Sequence, residues 1–260
     1  MNKHLILLFL VFLSLSSSAQ HIRTGFKFGT QLSRPYYEDE NFYREYKPKQ
    51  SLGFNAGGVL NWKASDFFSL HVELLYNRVN KHLVGTDGYA VNKDQFDYLT
   101  APVLLRGSVP LGHAEVYINA GPSINYWLGG KGFVRHTELI ELEIYELDHR
   151  VQFSDQASDD YTSGTVNVTE ANRFQLGLDV GTGAMIPMNG RYLMVDFRYS
   201  WGHTNMAGPE AQYLSNLLYY NDDLSFAHHS FSASVAYLFE FDLIKLTRKG
   251  KSKTTKGKGR

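Results

Sequence analysis

The chain contains no cysteine among its 260 residues. This absence excludes disulfides, thiol nucleophiles and thiolate zinc sites. Proline is scarce, with 7 residues against 23 glycines. After residue 19 no stretch of about 18 apolar residues occurs, so that part of the sequence predicts no membrane-spanning helix. If this part of the chain enters a membrane, it does so as β-strands.

The first 19 residues have the pattern of a secretory signal peptide. Lys3 and His4 precede the apolar run Leu5–Leu15, and the small residues Ser16–Ala19 follow it. We expect cleavage after Ala19. The alternative, a membrane anchor, is disfavoured because the apolar run is far shorter than the roughly 20 residues of a spanning helix.

The net charge of zero hides a basic C-terminal segment. Residues 244–260 contain eight basic residues and no acidic one, so the rest of the chain is acidic. We therefore predict three parts: the signal peptide (1–19), one all-β domain (20–243) and a disordered periplasmic tail (244–260). The tail is either simply solvated or contacts anionic headgroups or an acidic partner. Nucleic acid is not an expected partner of a secreted membrane protein.

Alternation of apolar and polar residues with a period of two is the dominant pattern. Phe68–Asn77 and Leu193–Trp201 show it most clearly, and high aromatic content (14%) accompanies it. Segments of about 10 alternating residues match tilted strands that cross a membrane. The predicted strands are Ile22–Leu32, Leu52–Trp62, Phe68–Asn77, Tyr98–Ser108, Val116–Tyr126, Phe174–Ile186, Leu193–Trp201 and Phe231–Phe239.

The connections between these strands alternate in length. Three are tight, at 63–66, 110–113 and 188–191, and the last contains the hairpin dipeptide Asn189-Gly190. Four are long, at 33–51, 80–96, 128–172 and 203–228. Short turns on one rim and long loops on the other are typical of outer-membrane barrels, with the turns in the periplasm. Within the acidic loop 128–172, Val134–Phe153 is either a hairpin that extends the barrel or part of a mobile loop.

Charged residues on the predicted polar faces distinguish a membrane barrel from a soluble one. A soluble, lipocalin-like barrel turns its apolar face inward, and the polar face here carries too many charges for an apolar core. We therefore predict an all-β, up-and-down antiparallel transmembrane β-barrel of about eight strands. Its lumen contains a charge network of Lys27, Glu73, Arg106, Glu115, Asp179, Asp196 and Arg198. An ion or proton path through the same residues is the alternative.

The sequence predicts no catalytic, cofactor-binding or metal-binding residue. His228, His229 and Ser230 form a His/Ser cluster, and His203 is a further candidate metal ligand. No acidic residue has a matching spacing and no GxSxG motif occurs, so we expect no enzyme. A lipid-modifying enzyme and a narrow pore remain the less favoured alternatives.

Several segments resemble the PorT-like outer-membrane β-barrel domain family. They are FSLHVELLYN (68–77), YLTAPVLLRG (98–107), VYINAGPSINYWL (116–128), FQLGLDVGTGAMI (174–186) and LMVDFRYSWGHTNM (193–206). The resemblance implies an eight-stranded barrel similar to OmpA-type and OmpX-type proteins, located in the outer membrane. One branch of the family is associated with protein secretion and gliding.

The expected function is that of a non-enzymatic outer-membrane barrel that binds partners through its external loops or maintains envelope integrity. The alternative is an accessory component of a protein-secretion apparatus. The expected partners are outer-membrane lipid and an envelope or secretion-machinery protein.

Overall fold

The computed structural model describes residues 21–37, 39–86, 88–137, 139, 143, 145–154, 164–168, 171–207, 215–216, 221–222 and 224–242. The predicted signal peptide and the predicted tail lie outside these residues. Among the described residues, no helix is both long enough and apolar enough to cross a membrane.

The described residues form thirteen strands and a short helix. The strands are β1 (His21–Tyr37), β2 (Tyr46–Lys49), β3 (Ser51–Lys63), β4 (Phe68–Gly85), β5 (Val91–Leu111), β6 (Ala114–Arg135), β7 (Leu147–Phe153), β8 (Thr165–Val168), β9 (Phe174–Pro187), β10 (Arg191–Gly202), β11 (Ser215–Asn216), β12 (Asn221–Asp222) and β13 (Phe226–Asp242). The helix α1 spans Phe42–Glu45 and connects β1 to β2.

Eight of the strands close into an antiparallel barrel, in the order β1, β3, β4, β5, β6, β9, β10, β13. β13 then pairs with β1 along its whole length, from His21 opposite Asp242 to Tyr37 opposite Phe226. The eight predicted strands all lie within these elements, so the predicted fold is confirmed.

The tight connections lie where they were predicted. Between β9 and β10, Asn189 and Gly190 both have positive φ, at 49° and 78°. A two-residue hairpin turn that follows the twist of its strands requires this geometry, and Asn-Gly adopts it readily. Met188 and Arg191 flank the turn and exchange two backbone hydrogen bonds, of 2.7 and 3.2 Å.

The predicted long loop 80–96 is wrong, because β4 continues to Gly85 and β5 begins at Val91. The inward-facing residues here are Val79, Lys81 and Leu83, which mix apolar with charged side chains. Apolar and polar residues therefore stop alternating here, although successive side chains still point to opposite faces of the sheet. Within 134–153, β7 pairs antiparallel with the end of β6, as in the predicted hairpin. Nearer the tight turns, the same edge of β6 pairs with β9.

A bulge in β6 reverses which residues face the interior. Tyr98 lies opposite Trp127 and Asp97 opposite Gly129, so Leu128 is the extra residue. Below the bulge odd-numbered residues such as Trp127 point inward. Above it, Val134 is buried and Lys131 is exposed. One additional residue exchanges the faces of everything that follows it in a strand.

The outer surface of the barrel is apolar and its interior is polar. Phe26 and Ile118 are 76% and 70% exposed, whereas the neighbouring Lys27 and Asn119 are buried. This arrangement reverses that of a soluble barrel and matches the predicted lipid-facing aromatics. Two apolar clusters lie inside: Tyr117, Met185, Met194 and Leu238 near the turns, and Phe96, Trp127 and Phe226 near the opposite mouth.

Candidate functional site: the charged barrel interior

Glu73 on β4 is the centre of the interior charge network. Its carboxylate accepts hydrogen bonds from Lys27 Nζ at 2.9 Å and from two nitrogens of Arg198, both at 2.8 Å. His71 Nε2 lies 2.7 Å from Glu73 Oε1. All four side chains are buried. The network therefore joins β1, β4 and β10 across the lumen, and a bidentate arginine gives it directional hydrogen bonds as well as charge pairing.

Asp196 and Asp179 complete the acidic side of this network. Asp196 accepts hydrogen bonds from Lys27 Nζ and Tyr117 Oη, both at 2.9 Å. Arg198 Nη2 lies 3.1 Å from Asp196 and its Nη1 lies 3.7 Å from Asp179. Buried charges are tolerated when they are paired and hydrogen-bonded. Five of the seven predicted lumen residues thus meet in one group.

Arg106 lies beside this group and makes no ion pair within the described part of the chain. Its guanidinium carbon is 3.7 Å from the centre of the Tyr117 ring. Two of its nitrogens are 3.5 and 3.6 Å from the sulfur of Met194. A cation over an aromatic face is attracted by the ring quadrupole. Arg106 therefore does not pair with a described acidic residue across the lumen, although the predicted charge network implied such a pair. Tyr117 lies between its guanidinium and Asp196.

Gly183 creates the space that Tyr117 occupies. A Cβ atom at position 183 would lie 2.4 Å from Tyr117 Oη and 2.1 Å from the carbonyl oxygen of Val195. A glycine on a polar face leaves space in the lumen where another residue would place a side chain. At this position the gap is filled by the tyrosine that binds Asp196.

Glu115 belongs to a second group at the turn end of the barrel. It accepts hydrogen bonds from Arg23 Nη1 at 3.1 Å and Ser108 Oγ at 2.5 Å, and Arg23 Nε also binds Glu240 at 3.0 Å. The sequence reasoning did not select Arg23 or His71. Arg23 lies on the same strand face as Lys27, and His71 lies on the same face as Glu73. The period-two pattern that selected Lys27 and Glu73 therefore also indicates Arg23 and His71.

A partly open cavity of about 70 Å³ lies between the network and the apolar cluster at the mouth. Lys27, Asp179 and Arg198 line one end, and Val79, Tyr98 and His228 line the other. The space and its polar lining suit roughly five water molecules. Above it, Trp127, Phe96 and Phe226 are completely buried and close the mouth.

A third ionic group lies in the part of the sheet that extends past the mouth. Asp94 is buried, with Lys81 Nζ at 2.6 Å and His149 Nε2 at 2.9 Å. Burial opposes ionisation of this carboxyl, but Lys81 and His149 outweigh it and lower the pKa of Asp94 below its ordinary value. The three residues connect β4, β5 and β7.

The histidine cluster is divided between the two faces of β13. His228 points into the cavity among Phe96, Tyr98 and Phe226, and Ser230 lines the same cavity. His229 points outward and stacks on Tyr36 with ring centroids 5.1 Å apart. Because neighbouring residues of a strand face opposite ways, His228 and His229 do not converge. Among the described residues no group of three His, Asp or Glu side chains is placed to hold a metal ion.

Comparison with known families agrees with this architecture. A family model described as outer membrane protein beta-barrel domain matches residues 16–208. The chain belongs to this family. It is an integral protein of the cell outer membrane, and the apolar outer surface of its barrel contacts lipid. The match does not separate the PorT-like branch from the rest of the barrel family.

Several solved outer-membrane barrels resemble the chain in structure. OprG from Pseudomonas aeruginosa has 12% identity and a TM-score of 0.46, covering 86% of this chain and 97% of its own. Ail from Yersinia pestis has 11% identity and a TM-score of 0.36, with 84% and 98% covered. Neisserial surface protein A has 10% identity and a TM-score of 0.40, with 85% and 97% covered. Values this low carry no functional argument. No curated protein matches the sequence.

Proposed function

We propose that this outer-membrane barrel is a non-enzymatic protein that acts through the structure it holds outside the membrane, by binding a partner or by supporting the envelope. The observation that supports the proposal is a layer of hydrogen-bonded side chains across the interior of the barrel. Lys27, Glu73 and Arg198 connect opposite walls of the barrel through hydrogen bonds of 2.8 and 2.9 Å. An eight-stranded barrel has an interior that side chains can fill, so such a layer leaves no wide channel.

The apolar cluster at the mouth adds a second closure. Trp127 donates a hydrogen bond from its indole nitrogen to the carbonyl of Gly129 at 2.9 Å and packs edge-on against Phe96. Phe226 from β13 completes the cluster from the other side of the barrel. A solute entering from outside would have to displace these buried rings, so the cluster supports a role other than transport.

The sheet beyond the mouth supplies a surface for a partner. β4, β5, β6 and β7 continue past the lipid-facing part of the barrel as one hydrogen-bonded sheet. Its inner face is fixed by the group of Lys81, Asp94 and His149 and by a cluster that contains Tyr46, Val134 and Leu139. A sheet fixed in this way orders its surface before binding, which lowers the entropy lost on association.

The placement of His228 and Ser230 supports the non-enzymatic role. Both line the internal cavity beneath the aromatic cluster, and Ser230 also borders a groove on the outer surface beside Tyr36 and His229. Among the described residues neither ring nitrogen of His228 has a hydrogen-bond partner, so no described acid positions it as a base. His228 points into the cavity, where a membrane lipid has no direct approach to it.

Planar-bilayer recording tests the proposed closure. We expect the reconstituted protein to show no steady conductance, whereas a Glu73→Gly/Arg198→Gly variant, which removes the centre of the layer, should give measurable current. Large, stable, salt-dependent currents from the unmodified protein that change in Arg106→Gln or Arg198→Gln would contradict the proposal that side chains block the lumen. They would favour a role as a narrow pore.

An accessory role in a protein-secretion apparatus is the second candidate. The observation that favours it is β8, which ends the strand order of the sheet and pairs in parallel with β7. In the described residues no strand pairs with its other edge, and an unpaired edge accepts an added strand from a partner. A photo-crosslinker at Thr165, in β8, tests this role in intact cells. Recovery of one stoichiometric envelope protein supports it, and crosslinks to barrel copies or lipid alone count against it.

A further inference from the structure

The lipid-facing surface of the barrel ends at a defined height on β5. Its outward side chains are apolar from Leu111 to Leu99, and Asp97, Gln95 and Lys93 follow. At about 3.3 Å per residue and a tilt of about 45°, the apolar stretch spans roughly 28 Å, which matches the apolar band of roughly 25 Å on such barrels. Residues above Leu99 therefore stand at the level of the outer-leaflet headgroups.

Basic side chains dominate the outward face at this level. In one row of the sheet Lys131 lies directly opposite Arg150. In the next row His82 lies between Lys49 and Lys93. We call these five residues the basic stripe: Lys49, His82, Lys93, Lys131 and Arg150. Like charges directly opposite each other on neighbouring strands destabilise a sheet.

The protein compensates the stripe only in part, because the exposed Asp148 lies in the row of Lys93, opposite Phe133. Within the described part of the chain Lys49, Lys93, Lys131 and Arg150 form no ion pair, and all four are exposed. Asp97, one row below, is already paired with Arg78 at 2.8 Å. Burial, together with the charges of Lys93 and Lys49, lowers the pKa of His82. The positive charge of this surface is therefore available to an anion.

The shape and position of the stripe suit a lipid headgroup. Lys93, Lys131 and Arg150 line one open groove of about 640 Å³, to which Asn80 and Asp148 also contribute. The stripe occupies only one side of the barrel. On β1 and β13, by contrast, Tyr36 and His229 stack on one another at the mouth end of the lipid-facing surface.

We propose that the basic stripe binds the phosphorylated headgroup of an outer-leaflet lipid, with Lys93, Lys131 and Arg150 contacting its phosphates. The height of the stripe favours a membrane lipid as the bound molecule, because the acyl chains of such a lipid can lie on the apolar surface directly below. A polyanion in solution would gain nothing from that surface. This inference does not depend on the partner proposed above.

Binding of purified diphosphoryl lipid A to the full protein in detergent micelles tests the proposal. Native mass spectrometry gives the bound fraction and Kd. Each basic residue near an anionic surface contributes about 1 kcal/mol, which is about fivefold in affinity. We expect Lys93→Gln/Lys131→Gln/Arg150→Gln to weaken binding by about 100-fold, and monophosphoryl lipid A to bind more weakly than the diphosphoryl form.

A matched variant controls for net charge. Arg44→Gln/Lys63→Gln/Arg191→Gln removes three exposed or rim charges away from the stripe and should leave lipid A affinity within about threefold of the unmodified protein. The heat-dependent shift in gel mobility checks that each variant is folded. If the triple variant does not fold, Lys93→Gln and Lys131→Gln tested singly should each weaken binding about fivefold.

Three results would overturn the proposal. One is unchanged lipid A affinity in the folded stripe variants, and another is an equal loss in the control variant. The third is complete displacement of lipid A by an equal concentration of inositol hexakisphosphate, which would identify the stripe as a site for a soluble polyanion.

Discussion

Arg198 on β10 donates two hydrogen bonds of 2.8 Å to the two carboxylate oxygens of Glu73 on β4, across the interior of the barrel. The two residues are 125 positions apart in the chain. Both side chains are buried, with 4% and 0% of their surfaces exposed. This pair therefore joins opposite walls of the barrel.

Removing the acidic partner should destabilise the barrel strongly. Glu73→Ala removes one of the two carboxylates that Lys27 and Arg198 share, and breaking a buried pair in this way costs about 3–5 kcal/mol. Urea unfolding in micelles, followed by tryptophan fluorescence, measures the change. Asp97→Asn is the control, since it breaks the half-exposed pair with Arg78 and should cost about 1 kcal/mol or less. Similar losses in both variants would contradict the central role of Glu73.

The two faces of β10 should respond differently to polar substitution. Val195 faces lipid between Val235 and Ala184, so Val195→Arg should cost about 2–4 kcal/mol if it lies near the bilayer midplane. Met194 faces the lumen, and Met194→Gln gives Arg106 an amide oxygen in place of the sulfur. We expect the second variant to be tolerated better in the same unfolding measurement. Equal damage would argue against the assignment of the faces.

The orientation in the membrane can be read from single cysteines, because the chain has none of its own. Tyr145, which is 77% exposed, lies beyond the mouth, and His113 lies in a tight turn. A membrane-impermeant maleimide added to intact cells should label Tyr145→Cys and leave His113→Cys unlabelled until the cells are lysed. A cysteine replacing Lys251, in the predicted periplasmic tail, should behave like the one at position 113. Labelling in the reverse order would invert the topology.

Acid should loosen the outer part of the sheet through Asp94. Because Lys81 and His149 lower the pKa of Asp94 in the folded state, its contribution to stability is complete above the unfolded-state pKa, near 3.9. That contribution is lost as the pH falls further, through the folded-state pKa. Hydrogen exchange in β5 and β7 should therefore accelerate below about pH 4. In Asp94→Asn this acid step should be absent, and parallel acceleration in both proteins would exclude Asp94 as its source.

The side-chain period determined much of the fold before any tertiary contact was known. Phe68–Tyr76 and Leu193–Trp201 alternate between apolar and largely polar residues, because one face contacts lipid and the other faces the lumen. The same pattern failed from Val79 to Leu83, where the inward face carries both an ion pair and apolar residues. There the alternation of polarity ended although the strand did not.

The charge network was predictable in its members but not in its partners. Lys27, Glu73, Asp196 and Arg198 were placed inside by their positions on polar faces, and Arg23 and His71 could have been added by the same rule. Which acid meets which base depends on strand tilt and register, which set the height of each residue in the lumen. That is why Arg106 lies over Tyr117 and Glu115 pairs with Arg23 at the rim.

The sequence by itself thus determined the strands, the tight turns, the two faces and the outer-membrane location. The tertiary structure decided how the interior is closed and what the surface above the lipid presents. The bulge at Leu128 shows the physical reason most directly. By counting in twos from Trp127, Lys131 belongs inside the barrel, but one extra residue opposite β5 turns it outward to lie beside Arg150. Such a bulge is fixed by the pairing of two strands, and neither strand encodes it alone.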